Sequence, residues 1–123
     1  MPNILSLDAT GQMAALEAKR ISAEELLDLA LRRNAEVKGA VNAVVSSDPE
    51  RARIRARAID DQRTRSEHLG ALAGLPMTVK DTFDVEGMPA SSGLDSLLHR
   101  RTVDAAAVGH LKRAGAVIWG KTN

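Results

Sequence analysis

Two short apolar runs in the second half of the chain, separated by one helical pattern, constrain the fold most. Residues Leu75 to Val79 predict a strand with proline at its start, and Ala116 to Trp119 predict a second strand. Between them, Asp104 is expected to cap a helix that ends by Gly115. A strand, a long crossover with a helix and a second strand form a parallel pair, and parallel strands are normally buried on both faces. The pattern therefore predicts the α/β class.

The first 69 residues are mainly helical in pattern. Ser22 and Glu25 have the spacing of a capping box, and the apolar stripe that follows predicts a helix over residues 23–37 that stops at Gly39. Upstream, Thr10 is expected to cap a shorter helix. Together these two elements predict a helical hairpin.

A short apolar run and a third helix follow the hairpin. Residues 41–45 suit a strand or a buried extended segment. Asp48 and Pro49 begin the helix, because Asp caps and Pro is tolerated at the first helical position. Its apolar face is thin and consists of Ala52, Ala56 and Ile59. Its arginines would suit phosphate or RNA, but acidic residues follow and no aromatic residue is interleaved, so we interpret them as a solvated face. Residues 62–70 are interpreted as a surface loop.

Composition bears on partners and compartment. The 123 residues carry 17 basic and 16 acidic side chains, so no net field would steer a nucleic acid or an anionic membrane toward the chain. No apolar run approaches the ~18–20 residues that span a bilayer. Cysteine is absent, which fits a reducing compartment. We therefore expect a cytoplasmic protein without nucleic-acid or membrane partners, and the unclustered histidines predict no metal site.

Two local patterns resemble functional motifs without the context those motifs need. Residues Gly115 to Thr122 match the letters of a phosphate-binding loop, G-x-x-x-x-G-K-[ST]. That loop needs a preceding strand and a following helix, whereas here a helical pattern comes first and the intervening residues are strand-like. Nucleotide binding is therefore only an alternative. The pair Ser91 and Ser92 has no activating neighbour and is interpreted as a solvated turn.

Lys80 is the candidate for chemistry that residue type and position favour. It ends the first predicted strand and is followed by Asp81. In open α/β sheets, groups at the carboxyl ends of strands line the usual ligand crevice. A lysine desolvated beside an apolar strand gives up its proton more readily, and a neutral lysine can act as a general base toward a hydroxyl. The alternative is a structural pairing of Lys80 with Asp81 or with backbone.

Two stretches of the chain carry a family resemblance: residues 70–89, GALAGLPMTVKDTFDVEGMP, and residues 104–123, DAAAVGHLKRAGAVIWGKTN. They strongly resemble the amidase signature family, which includes bacterial amidases and the amide-hydrolysing subunit of the aminoacyl-tRNA amidotransferase. The start of the long helix, residues 21–26, also resembles the family's opening region. The resemblance implies the N-terminal part of the family's α/β/α fold within a single amidase domain. Residues 1–69 would be mainly helical, and residues 70–123 would begin a mixed sheet.

The resemblance also implies a chemistry. Family members hydrolyse a carbon–nitrogen amide bond with a serine nucleophile, a second serine whose preceding peptide bond is cis, and a lysine, without a cofactor. The lysine lies in a V-K-D segment and carries over to Lys80, which would pass a proton from the second serine to the leaving amine. Both serines lie downstream of the G-K-T-N stretch that ends here at Asn123, and Ser91 and Ser92 do not match them. We therefore expect this chain to supply only the lysine and to be inactive alone.

An early end to the sheet has consequences for partners. The resemblance implies that the partner of the complete enzyme is a small-molecule amide. A strand left without neighbours predicts self-association of the chain through an exposed sheet edge. The rival hypothesis is a non-catalytic interaction module, or one piece of a split protein, that binds a chain supplying the rest of the fold.

Overall fold

A computed structural model describes residues 3–100 and 102–123, and four helices and three strands organise them. The helices are α1 (Ala9–Glu17), α2 (Ala23–Val41), α3 (Pro49–Thr64) and α4 (Ala106–Arg113). The strands are β1 (Val44–Ser47), β2 (Pro76–Lys80) and β3 (Val117–Thr122), and short 3-10 turns lie at Ile4–Ser6 and Asp95–Leu97. The α/β class predicted from the sequence is confirmed.

The three strands form one mixed sheet in the order β1-β3-β2. β3 lies in the centre, antiparallel to β1 and parallel to β2. The predicted parallel pair is thus present, and its second strand extends three residues beyond Trp119 to Thr122. Successive side chains of β3 enter different cores, because neighbouring residues of a strand point to opposite faces. Val117 and Trp119 pack in the larger core with the first three helices, whereas Ile118 packs in a smaller core with Val108 of α4.

Helix α2 begins as the sequence predicts and ends differently. The capping box of Ser22 and Glu25 is formed at the start of α2. The prediction that Gly39 stops this helix is wrong: α2 continues to Val41 and ends at Asn42, which adopts a left-handed conformation with φ 47°. A glycine inside a helix costs about 1 kcal/mol relative to alanine, too little to end a long helix anchored by packing. The prediction for Thr10 is also wrong, because the Asp8 carboxylate caps α1.

Helix α3 begins as predicted, but its arginine face makes more contacts with other elements than the sequence predicts. Asp48 accepts a hydrogen bond from the Arg51 amide, and Pro49 occupies the first turn. The apolar face predicted from the sequence is buried. The arginine face is not simply solvated, because Arg53 pairs with Asp28 of α2 and Arg55 donates to the Ala116 carbonyl at 3.1 Å. The helix also extends to Thr64, so the surface loop begins later than residue 62.

The prediction that Asp104 caps a helix is wrong, and its carboxylate has other partners. Helix α4 starts at Ala106, and its capping position makes no side-chain hydrogen bond. The Asp104 carboxylate instead accepts the Glu86 amide at 2.8 Å and the Lys112 ammonium at 2.9 Å. Burial opposes ionisation of Asp104, but these two donors outweigh it and lower the pKa of the carboxyl below its usual value. The residue therefore ties the loop after β2 to α4. No helix within the described residues is both long enough and apolar enough to cross a bilayer.

Candidate active site

Lys80 is the last residue of β2, at the carboxyl end of the parallel pair, as the sequence predicts. Its side chain is exposed and makes neither a hydrogen bond nor an ion pair with the described residues. The desolvation expected beside an apolar strand is therefore not supplied by them. The alternative pairing of Lys80 with Asp81 is also absent, because Asp81 has another cation as its partner. The Lys80 ammonium is left available to groups outside the described residues.

The partner of Asp81 is Lys121 on the neighbouring strand. The Lys121 ammonium lies 3.1 Å from one Asp81 carboxylate oxygen and donates to the Pro89 carbonyl at 2.9 Å. The other Asp81 oxygen accepts the Ser91 hydroxyl at 2.9 Å and the Gly93 amide at 3.1 Å. Lys121 is wholly buried, and Asp81 is 6% exposed. We call the Asp81–Lys121 pair the clamp and residues 89–93, which it holds, the strap.

Hydrogen bonds favour the ionised form of the Asp81 carboxyl despite its burial. Burial raises the pKa of a carboxyl group, but the hydrogen bonds from Lys121 and Ser91 more than offset that effect and lower the pKa of Asp81. The clamp is therefore an ion pair in which both Asp81 oxygens and the Lys121 ammonium have protein partners.

Sequence patterns indicate other environments for two of these residues. The last three fixed letters of the phosphate-loop pattern, Gly120, Lys121 and Thr122, are residues of β3, and the Lys121 ammonium is bound to Asp81 and Pro89. The interpretation of Ser91 as part of a solvated turn is wrong, because Ser91 is buried and bonded, while Ser92 is exposed with φ 50°. The sequence feature that could have indicated the environment of Lys121 is a lysine in an apolar strand, since a buried ammonium requires a carboxylate nearby.

The sheet places Lys80 and the clamp on opposite faces. Val79 and Lys121 are register partners across the parallel pair. Because side chains alternate along a strand, Asp81 shares the face of Val79 and Lys121, and Lys80 belongs to the other face. A recess of about 200 Å³ is lined by Asp81 and the strap but not by Lys80. Within residues 3–100 and 102–123, no three His, Cys, Asp or Glu side chains lie close enough together to hold a metal ion.

The sequence matches a known protein family over most of its length. A family model described as Amidase matches residues 25–123. One subunit of the glutamyl-tRNA(Gln) amidotransferase from Acidothermus cellulolyticus is 37% identical over 126 residues, covering 100% of this chain and 25% of the relative. AtzE, which is one of the subunits of the 1-carboxybiuret hydrolase from a Pseudomonas species, is 42% identical over 106 residues, covering 85% of this chain and 23% of the relative.

Solved structures of similar fold are also amidases. The X-ray structure of peptide amidase from Stenotrophomonas maltophilia superposes with a TM-score of 0.90 and 30% identity over 96% of this chain and 25% of that one. The chain thus spans about a quarter of the length of the relatives it matches. With matches in both sequence and fold, the chain belongs to the amidase signature family.

Proposed function

We propose that residues 1–123 belong to the N-terminal part of a hydrolase of small-molecule amides and that Lys80 is its proton-transfer residue. The observation that carries the proposal is the position of Lys80, an exposed ammonium at the carboxyl end of a parallel strand in a chain of the amidase family. Strand ends of this kind line the ligand crevice of open α/β sheets. We place this chemistry in the cytoplasm.

The proposed mechanism uses two serines supplied by sequence that follows the G-K-T-N stretch in the family. Neutral Lys80 accepts the proton of the second serine, which in turn accepts the proton of the nucleophilic serine. The nucleophile attacks the amide carbonyl carbon and forms an acyl-enzyme as the carbon–nitrogen bond breaks. The proton returns through the same relay to the leaving amine, and water then hydrolyses the ester. In this scheme residues 1–123 contribute the base, while the nucleophile comes from elsewhere.

The test uses a fusion enzyme in which residues 1–123 replace the matching quarter of the Stenotrophomonas peptide amidase. The structural match over 96% of this chain defines the junction. We expect the fusion enzyme to hydrolyse the relative's own amide substrate and Lys80→Ala to lower kcat at least a thousandfold, since a general base and its relay act as one unit. Release of the amine product measures kcat.

Two controls separate chemistry from folding. The melting temperature of Lys80→Ala should stay close to that of the parent, because the exposed side chain makes no bond within the described residues. Lys38→Ala provides a matched loss of one lysine outside the proposed site; Lys38 binds the Val44 carbonyl at the end of α2. Activity of Lys80→Ala within tenfold of the parent would show that Lys80 is not the base.

A further inference from the structure

The clamp is a costly way to hold a sheet together. Both charges are buried, and the desolvation of two ions commonly cancels the free energy of their attraction. Well-packed apolar residues of similar volume are often as stabilising as such a pair. The other ion pairs among the described residues leave each partner more than a fifth exposed, including Lys112–Asp104 at 23% and 22%. Stability alone therefore gives little reason to bury the charges of Asp81 and Lys121.

The directional character of the clamp is its distinguishing property. Four polar contacts converge on it, and they join the end of β2, the body of β3 and the strap. An apolar pair would fill the same space without fixing these directions. The Asp81 amide also donates to the Thr122 carbonyl at 2.7 Å, so both the main chain and the side chain of Asp81 are held.

Lys80 directly precedes Asp81 of the clamp. The Lys80 side chain has no bond within the described residues, so its position depends on its backbone. The Lys80 carbonyl accepts the Phe83 amide at 3.0 Å, which closes a turn immediately after the strand. One residue on, Asp81 is fixed to β3 and to the strap. The backbone of Lys80 is thus held from its carboxyl side by contacts made on the opposite face of the sheet.

We propose that Asp81 and Lys121 are positioning residues that fix the end of β2 and thereby aim Lys80 at the reacting serine. This inference rests on the proposed role of Lys80 and adds two residues to the machinery. A displacement of about 1 Å at a catalytic group can cost roughly a hundredfold in rate, so loss of the clamp acts on kcat. We expect the loss to fall on kcat, with KM within about threefold of the parent.

The decisive variant removes both charges while keeping the volume of both side chains: Asp81→Asn combined with Lys121→Met. Lys121→Met alone leaves a buried carboxylate unpaired and should melt well below the parent, whereas the double variant should recover most of that loss. A purely structural pair would let kcat recover together with stability. Under our proposal the fusion enzyme with the double variant keeps its recovered melting temperature but turns over about tenfold to a hundredfold more slowly.

The fusion enzyme provides a second measurement that needs no activity. Amide hydrogen exchange in the double variant should be at least tenfold faster at the Asp81 and Gly93 amides, which bond to Thr122 and to the Asp81 carboxylate. The amide of buried Leu26 in α2 should keep its protection. Ser91→Ala, a milder change that removes one strap bond, should raise exchange at Gly93 even if the double variant fails to fold.

A matched control removes the other tethered pair. Asp104→Asn combined with Lys112→Met also deletes an ion pair between a loop and a regular element, and should lower stability while kcat stays within twofold. Unchanged exchange at Asp81 and Gly93, or parental kcat in the double variant, would overturn the positioning role. An inactive Lys80→Ala beside a fully active double variant would leave the proposed function intact and refute only the clamp. An active Lys80→Ala would refute the proposed function and with it the aim that we assign to the clamp.

Discussion

At the scale of single residues, Lys80 and Lys121 show how one step along a strand decides a side chain's environment. They lie on adjacent strands within one register position of each other. Lys121 shares a face with Asp81 and is buried in an ion pair, whereas Lys80 points to the other face and is exposed. The same type of side chain is thus fixed in an ion pair on one strand and exposed, without a hydrogen bond or ion pair to the described residues, on the next.

Glycines give a prediction at the same scale. Gly115 follows α4 with φ +100°, and a Cβ there would lie 2.5 Å from the Ala73 Cα. Gly115→Ala should therefore lower the free energy of unfolding by roughly 2–4 kcal/mol, combining backbone strain with a clash that no side chain can relieve. Urea unfolding measures the change.

The control lies in α2. Gly39 is exposed within the helix, and a Cβ there would meet no neighbouring atom within 4 Å. Gly39→Ala should raise the free energy of unfolding by roughly 0.5–1 kcal/mol, because alanine loses less backbone entropy in a helix. Equal effects at the two positions would contradict this account of their backbones.

At the scale of elements, the start of α2 is capped both by its own Ser22 and by Asp60 of α3, which is distant in sequence. Ser22 accepts the Glu25 amide, and the Asp60 carboxylate of α3 accepts the amides of Ala23 and Glu24 at 2.7 and 3.1 Å. A carboxylate at a helix N-terminus also interacts favourably with the helix dipole. One side chain of α3 thus completes the cap of α2 and fixes how the two helices meet.

Asp60→Ala should therefore destabilise the chain by about 1–2 kcal/mol, in the upper range for loss of a helix cap. Thermal unfolding followed by circular dichroism measures the change. Asp61→Ala is the matched control, since Asp61 is the exposed neighbour on the same helix, and its melting temperature should stay near that of the parent. A loss in Asp61→Ala as large as that in Asp60→Ala would point to a general charge effect instead.

The same elements show which features a sequence can reveal. The capping box at Ser22, the start of α3 at Asp48 and the end of β2 at Lys80 depend on residues within a few positions, and the sequence predicts each of them. The role of Asp104 and the environment of Lys121 depend on partners 8 to 40 positions away, and local patterns predict neither. The role that we propose for Lys80 comes from its place at the strand end and from family resemblance, because its side chain makes no hydrogen bond or ion pair within the described residues.

At the scale of the whole molecule, the sheet formed by the described residues has two outer edges. β1 and β2 each pair with β3 on one side only, and Val45 of β1 is 48% exposed. Unpaired edges and exposed apolar residues favour pairing with another chain.

We therefore expect light scattering on the 123-residue chain to report particles larger than its 13.1 kDa mass, growing with concentration. Val45→Lys should shift the distribution toward monomer, because a charge on an edge strand discourages further pairing. A monodisperse monomer at all concentrations would contradict the prediction, and so would a Val45→Lys variant that associates as strongly as the parent.

The central position of β3 also sets the order in which the sheet can assemble during synthesis. β1 and β2 do not pair with each other, and the strand that joins them is the last regular element in the described chain. About 75 residues separate the end of β1 from the end of β3, so at ribosomal speeds β1 waits roughly 4 to 15 seconds for its partner. The helices α1 to α3 precede both strands of the parallel pair, and a nascent chain therefore acquires its helical layer before it has a sheet to cover.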